Sequence, residues 1–191
     1  AWLAAVATAL MSPSLLFLAD FRADAWKLLP VRLGVLAKYG EGPHITALSL
    51  IPFAVGFTWL AFERRRPAAI GLAALFGALV VSNNFYGATS LAMFYPIVIW
   101  AFWITRQDKR IVAPALIIPA LGYGLTAFWL VPSYFKVTAA NMKYVSEHGT
   151  TWSIWVGLAV AVAFAVATDR LARGKAQHTW SVFAAGSVVF F

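Results

Sequence analysis

The sequence has no cysteine and few charged residues. Without cysteine, neither a disulfide framework nor a metal site with thiolate ligands can form. Only 12% of the 191 residues are Asp, Glu, Lys or Arg, whereas a soluble domain carries about 25% to solvate its surface. A glycine-rich loop of the nucleotide-binding type is also missing. The composition therefore argues against a soluble domain and against a disulfide-rich secreted protein.

Long hydrophobic runs take the place of charge. Hydrophobic residues make up 62% of the chain, and the charges lie in short clusters between uncharged runs. Because a helix needs about 20 residues to cross about 30 Å of hydrocarbon, these runs predict membrane spans. The sequence thus predicts an all-α, polytopic transmembrane helix bundle of about six to seven spans in a single domain, 1–191. The predicted spans are 1–18, 45–62, 68–81, 88–104, 111–131, 152–168 and a last one from about residue 180.

Two features of these runs require interpretation. The uncharged run 68–103 is too long for one span, and turn-forming residues at 82–87 interrupt it, so we predict two short helices there. The chain begins and ends inside apolar runs, with no Met or basic leader before the first. We therefore expect truncated first and last spans in an internal fragment of a longer protein.

Basic residues near the span ends predict the orientation, because Lys and Arg are enriched in cytoplasmic loops. The side that carries more of them is predicted to be cytoplasmic, in a bacterial inner membrane, and segments 19–44, 82–87 and 132–151 are then on the outer side. This pattern accounts for the net charge of +8 without nucleic acid, and we expect the lipid bilayer as the partner. The predicted cytoplasmic residues are Arg64, Arg65, Arg66, Arg106, Lys109, Arg110, Arg170, Arg173 and Lys175.

The three histidines do not predict a zinc site. In this topology His178 is cytoplasmic, whereas His44 and His148 are on the outer side, so three imidazoles cannot meet at one ion. No metal and no other cofactor is evident from the residues. The predicted spans also carry no charged residue near their middle, whereas ion-coupled transporters usually need one.

The segment after the first span is predicted to lie in the membrane interface. At about 100° per residue, Asp20, Asp24, Lys27 and Lys38 fall on one face of a helix near 20–38, as in interfacial amphipathic helices. Such a helix is either a connector whose charged side chains reach water or a lid over a lipid-facing active site. Both interpretations stay open.

A tight turn is predicted at 39–44. Two glycines and a proline set Glu41 and His44 before a helix that begins at Ile45. A carboxylate and an imidazole together suit acid–base chemistry, or the binding of a phosphate or a sugar. The alternative is that His44 only caps the helix.

Asn83, Asn84 and Tyr86 form a second candidate cluster, at the outer end of the two short helices. Paired amides at this depth need hydrogen-bond partners, and the hydroxyls of a polar ligand could supply them. An ordinary helical hairpin turn is the other interpretation, and Gly87 supports it.

A third cluster follows the span 111–131. Trp and Tyr at a span end are ordinary interface anchors. Basic residues on the outer side, however, run against the topology bias, and a phosphate-bearing lipid head group or anionic phospholipid in general would account for them. The candidates for substrate binding in this cluster are Trp129, Tyr134, Lys136, Asn141, Lys143 and Tyr144.

Several short motifs carry a family resemblance, over most of residues 42–145. The motifs are Gly42-Pro43-His44 with 47–52, then 84–88, 128–134 and 141–143. In them the chain resembles bacterial multi-pass proteins described as 6-pyruvoyl-tetrahydropterin synthase-related membrane proteins. The soluble synthase needs a zinc site, which the positions of the histidines argue against, so the label does not imply pterin chemistry here.

The resemblance implies a class of reaction. The group is similar in layout to membrane glycosyltransferases of the GT-C type, which use a polyprenyl-phosphate-linked sugar on the outer face, often with a divalent metal. Their catalytic acid usually lies in the first outer loop, so the catalytic residue is expected outside this chain and stays unknown. The alternatives are a non-catalytic assembly subunit, and a transporter or flippase for a lipid-linked or amphiphilic substrate with helices broken at Pro114 and Pro119.

Overall fold

A computed structural model describes residues 42–145 and 151–190. Within them the chain is helical, with no strand, so the predicted all-α fold is confirmed. The predicted span 1–18 and the predicted interfacial helix near 20–38 lie outside the described residues. The helices are α1 (Gly42–Arg64), α2 (Pro67–Asn83), α3 (Phe85–Arg106), α4 (Val112–Thr126), α5 (Pro132–Val145), α6 (Thr151–Ala172) and α7 (Thr179–Phe190).

Three helices in the described part are long and apolar enough to cross a membrane. They contain the candidate spans Gly42–Arg64, Gly87–Arg106 and Ile154–Ala172, and Pro67–Asn83 is a shorter apolar helix. The prediction of two short helices between 68 and 104 is therefore wrong for the second, because α3 has 22 residues. Phe85, Tyr86 and Gly87, which were predicted to belong to the turn, form the first helical turn of α3 instead.

The connection between α2 and α3 is a single residue. Asn84 has an extended backbone (φ −158°, ψ 142°), and its N–H donates to the carbonyl of Val80 at 3.4 Å. Its own carbonyl accepts from the N–H of Ala88 at 3.1 Å. Asn84 thus ends one helix and begins the next, and the predicted break within 82–87 is confirmed at this one residue.

The chain turns earlier than expected after α4. A span was predicted over 111–131, but α4 ends at Thr126, whose hydroxyl donates to the carbonyls of Gly122 and Tyr123 at 3.2 and 3.1 Å. After a turn at 127–131, the segment 132–151, for which only an outer location was predicted, contains the 14-residue helix α5. Pro132 is its first residue, a position where proline has no hydrogen bond to lose.

Helices α1 and α2 form an antiparallel pair, and α4 packs on α2 while α7 packs on α3. The core contains Phe62 and Phe102, whose rings meet edge to face at 5.5 Å. Close crossings depend on glycine. A Cβ on Gly87 would lie 2.5 Å from the Cβ of Ala47 in α1, and one on Gly186 would lie 2.6 Å from Cγ2 of Ile97 in α3.

The ends of α1 and α3, with the loops that follow them, are joined by two ion pairs. Arg65 pairs with Asp108, and Arg106 pairs with Glu63 at 3.3 Å. The N–H of Gly174, in the loop after α6, donates to the carbonyl of Ile104 at 3.0 Å. These contacts bring together the three helix ends and loops that contain the nine basic residues predicted to be cytoplasmic. We call this end of the bundle the basic end; the compartment that it faces stays a prediction.

Both loops leave their helix through a residue with a left-handed backbone. Arg65 has φ 53° and Gln107 has φ 50°, a backbone conformation that is unfavourable for residues other than glycine. At Gln107 the side-chain amide donates to the carbonyls of Trp103 and Ile104 at 3.2 and 3.0 Å, which satisfies the open end of α3. At Arg65 the compensation is the ion pair with Asp108.

Candidate functional site

The opposite end of the bundle collects the candidate residues, and we call it the rim. It consists of the start of α1, the end of α2, the start of α3 and the turn between α4 and α5. Ala47 of α1 packs on Val80 of α2, and both lie against Gly87 of α3. His44 is one turn before Ala47, and Asn83 is one turn after Val80, so the fold brings these two predicted residues to the same end.

His44 lies inside α1 rather than in front of it. The helix begins at Gly42, so His44 is its third residue and cannot be the cap that one interpretation assigned to it. Its side chain is half-buried, and its Nδ1 atom is shielded from solvent. Proline is compatible with a first helical turn, and Pro43 allows the helix to start before Ile45. Glu41, the predicted neighbour of His44, lies outside the described residues.

The two asparagines differ in what they can offer a ligand. Asn83 is half-buried and donates through Nδ2 to the carbonyl of Leu79 at 2.8 Å. The Oδ1 atom is the acceptor of this amide, so it is the atom that can receive a hydrogen bond from a ligand. Asn84 connects α2 to α3 through its backbone. The backbone of Tyr86 is in the first turn of α3, and its side chain lies outside the description.

The hairpin interpretation placed Gly87 in a turn, but Gly87 is part of helix α3. It is buried in α3, and the absence of a Cβ allows α1 to approach within van der Waals contact of the α3 backbone. Gly87 therefore allows the start of α1 to lie against the start of α3, at the same end of the bundle as the α2–α3 connection.

A contact that the sequence did not predict joins the third cluster to the rim. The indole Nε1–H of Trp129 donates to Oγ of Ser82 at 3.3 Å. The ring of Tyr134 meets Trp129 edge to face, with centroids 5.5 Å apart. Since Ser82 precedes Asn83, these contacts place the start of α5 next to the predicted amide cluster. The only signal in the sequence was a serine at the end of an apolar run.

Helix α5 carries the remaining candidates away from the bundle. Lys136 and Asn141 are exposed, and α5 has no extensive packing against another described helix. Lys136 and Lys143 are seven residues apart, so their Cα positions lie within about 20° of each other around the helix. Lys143 and Tyr144 belong to α5, but their side chains lie outside the description. The structure therefore places Tyr134 at the rim and leaves the lysines on an exposed helix.

The described carboxylates are all at the other end. Glu63, Asp108 and Asp169 each pair with an arginine at the basic end. Between 42 and 145 and between 151 and 190, no three side chains of the metal-binding types His, Asp or Glu lie together. The described part of the rim thus supplies an imidazole, amides, hydroxyls and aromatic rings, which bind polar groups without a strong general base.

A cavity of about 290 Å³ lies between α1, α2, α3 and α4. We call it the bundle cavity. It reaches towards the rim at Val81 and Leu130, which are the neighbours of Ser82 and Trp129. No pattern in the sequence predicted it. On the α2 side its lining consists mainly of small residues: Ala73, Ala74, Gly77 and Ala78.

Comparison with known proteins identifies the family. No curated protein and no solved structure matches the chain. The family model described as 6-pyruvoyl-tetrahydropterin synthase related domain, membrane protein, matches residues 18–189. This match covers most of the chain, and the long apolar helices agree with it. The chain therefore belongs to the family of membrane proteins related to 6-pyruvoyl-tetrahydropterin synthase.

Proposed function

We propose that the protein is a membrane glycosyltransferase of the GT-C type, or a close relative, that binds a polyprenyl-phosphate-linked sugar at the rim. The supporting observation is the hydrogen bond from Trp129 to Ser82, because it places an exposed basic helix beside a cluster of polar side chains. In this proposal the rim faces the outer side of a bacterial inner membrane.

The parts of such a donor match the parts of the rim. Asn83 Oδ1 accepts hydrogen bonds from sugar hydroxyls, and His44 lies at the same end of the bundle. Lys136 and Lys143 bind the phosphate, because an ammonium group attracts a phosphate-bearing head group near the membrane surface. Trp129 and Tyr134 place amphipathic rings where the polar and apolar parts of the donor meet.

The bond-forming step needs a carboxylate base in this class of enzyme, often assisted by a divalent metal. The acids described in the structure are at the basic end, so they are too far from the rim to take this role. The described rim residues do not form a metal site either, and we derive no step through a metal. In our proposal they bind the donor, and the base comes from residues outside the described ranges.

Sugar transfer from polyprenyl-phosphate donors tests the proposal. Membranes that contain the full-length protein should transfer radiolabelled sugar, and Lys136→Ala should raise the donor concentration needed for half-maximal rate about tenfold, because a charged hydrogen bond to phosphate is lost. Lys109→Ala is the matched control at the basic end and should leave the rate unchanged. Absence of transfer by the full-length protein with every donor would refute the proposal.

The alternative function is that of a transporter or flippase. The breaks predicted at Pro114 and Pro119 are not present, because α4 continues as one helix from Val112 to Thr126. A flippase would move the labelled lipid across a vesicle bilayer without forming a bond, so the transfer assay separates the two functions.

A further inference from the structure

We propose that the bundle cavity holds the hydrocarbon chain of a membrane lipid, with the head group of that lipid at the rim. The bundle cavity is bounded by four helices, and its lining includes Thr58, Tyr95, Ile118 and Thr126. The inference concerns binding alone and holds whether or not the protein transfers a sugar.

The chemistry of the wall selects an apolar ligand. The hydroxyl of Thr58 donates to the carbonyl of Ala54 at 2.8 Å, and that of Tyr95 donates to the carbonyl of Ala115 at 2.9 Å. The hydroxyl of Thr126 is bonded to its own helix in the same way. Because these donors already have backbone partners, a polar ligand would lose its hydrogen bonds with water and gain few in return, which is costly.

The size of the bundle cavity fits a chain rather than a solvent molecule. Protein interiors are close-packed and leave few voids larger than water. An apolar cavity of about 150 Å³ accepts benzene, so the 290 Å³ found here has room for roughly a dozen carbon atoms. Small residues on three helices create this space: Ala54, Ala73, Ala74, Gly77, Ala78, Ala88 and Ala92.

The position of the bundle cavity connects it to the polar residues at the rim. Val81 and Leu130 line the part of the bundle cavity nearest the rim. The next residue after Val81 is Ser82, which is hydrogen-bonded to Trp129, the residue before Leu130. A chain in the bundle cavity would therefore leave its polar end beside this hydrogen bond, close to Asn83 and the start of α5. This geometry suits an amphiphile that carries a phosphate or another polar head group.

Photo-crosslinking of the full-length protein in detergent micelles tests the proposal. One arm uses phosphatidylcholine with a diazirine in the middle of one acyl chain, and the other uses a polyprenyl phosphate with a diazirine on its chain. We expect saturable labelling of peptides that contain Tyr95 or Ile118. Competition by unlabelled lipid in each arm identifies the source of the chain as acyl or isoprenoid, and labelling in either arm supports the proposal.

Variants that fill the bundle cavity provide the specific control. Ala78→Leu and Ala92→Leu should each reduce labelling about tenfold, since the added side chain occupies the space of the ligand. Ala92 is the safer site, because it is exposed while Ala78 is buried. Ala68→Leu, on an exposed position of α2 outside the lining, should not change labelling.

Two results would overturn the proposal. One is labelling that does not saturate or that is equal in all three variants. The other is the absence of labelling in both arms at peptides that contain Tyr95 or Ile118, because the bundle cavity would then be closed to lipid. If the full-length protein is labelled by lipid but transfers no sugar, the proposed enzyme activity is refuted and the proposed lipid site is still supported.

Discussion

Replacing Gly87 with alanine should destabilise the bundle at the rim. In the native structure a Cβ at this position would lie 2.5 Å from the Cβ of Ala47 and 3.2 Å from Cγ1 of Val80. Neither neighbour is the far end of a flexible side chain, so α1 and α3 must move apart. Overpacking of this kind costs about 1–3 kcal/mol, and the better helix propensity of alanine returns up to about 1 kcal/mol.

With a gain of about 1 kcal/mol from helix propensity, the net loss of stability is about 0–2 kcal/mol. For a chain of this length that corresponds to a midpoint of thermal unfolding lower by up to about 8 °C. The measurement is the thermal unfolding of the purified full-length protein in detergent, followed by circular dichroism. Gly71→Ala is the matched control, because no atom lies within 4 Å of the Cβ that it adds in α2, and it should leave the midpoint unchanged or raise it.

A second substitution checks the cause. Ala47→Gly removes the atom that the new methyl group would strike, so the Gly87→Ala, Ala47→Gly double variant should be more stable than the two single effects added together predict. If Gly87→Ala unfolds at the same temperature as Gly71→Ala, the close crossing of α1 and α3 does not exist as described, and the rim is assembled differently.

Three further predictions use the same unfolding measurement. Asp108→Ala should cost more stability than Arg65→Ala. Both variants lose the half-exposed ion pair, which contributes less than about 1 kcal/mol, but only Asp108→Ala also removes the carboxylate that accepts from the N–H of Arg110 at 2.9 Å. Equal losses of stability would contradict this reasoning. Trp129→Phe and Ser82→Ala should each cost about 1 kcal/mol, and the double variant no more than either alone; additive losses would show that the hydrogen bond is absent. Thr105→Val should lower stability by about 1–2 kcal/mol, because it breaks a buried hydroxyl pair between α3 and α7, whereas an unchanged midpoint would count against that pair.

The apolar helices could be predicted from the sequence because charge marks their ends. The predicted span 45–62 corresponds to α1, Gly42–Arg64, since the following arginines cannot enter hydrocarbon cheaply. Hydropathy did not locate the end of α4, because the residues after Thr126 are as apolar as those before it. The turn there depends on backbone hydrogen bonds, which hydropathy does not report. Helix α5 was not predicted for a related reason. Its described residues are largely exposed, and its sequence contains polar residues, so it does not form an apolar run.

The candidate site was predicted only as separate clusters. The sequence indicated that Asn83, Trp129 and Tyr134 belong to the same side, but not that Trp129 would meet Ser82. That contact joins residues 47 positions apart and depends on how α4 packs on α2. The bundle cavity could not be predicted, because the same small residues allow either tight packing or an open space. Which of the two occurs depends on how α1, α2, α3 and α4 pack against one another.

The paired loops at the basic end restrict how the bundle can move. Glu63 and Arg65 at the end of α1 have the same spacing as Arg106 and Asp108 at the end of α3, but with the charges reversed. The hairpin of α1 and α2 is therefore fastened to the hairpin of α3 and α4 at the basic end. At the far end the single-residue connection Asn84 ties α2 to α3, so the two hairpins are held together at both ends of the bundle. A long amphiphile from the bilayer would then reach the bundle cavity between the sides of the helices, without the hairpins separating at the rim.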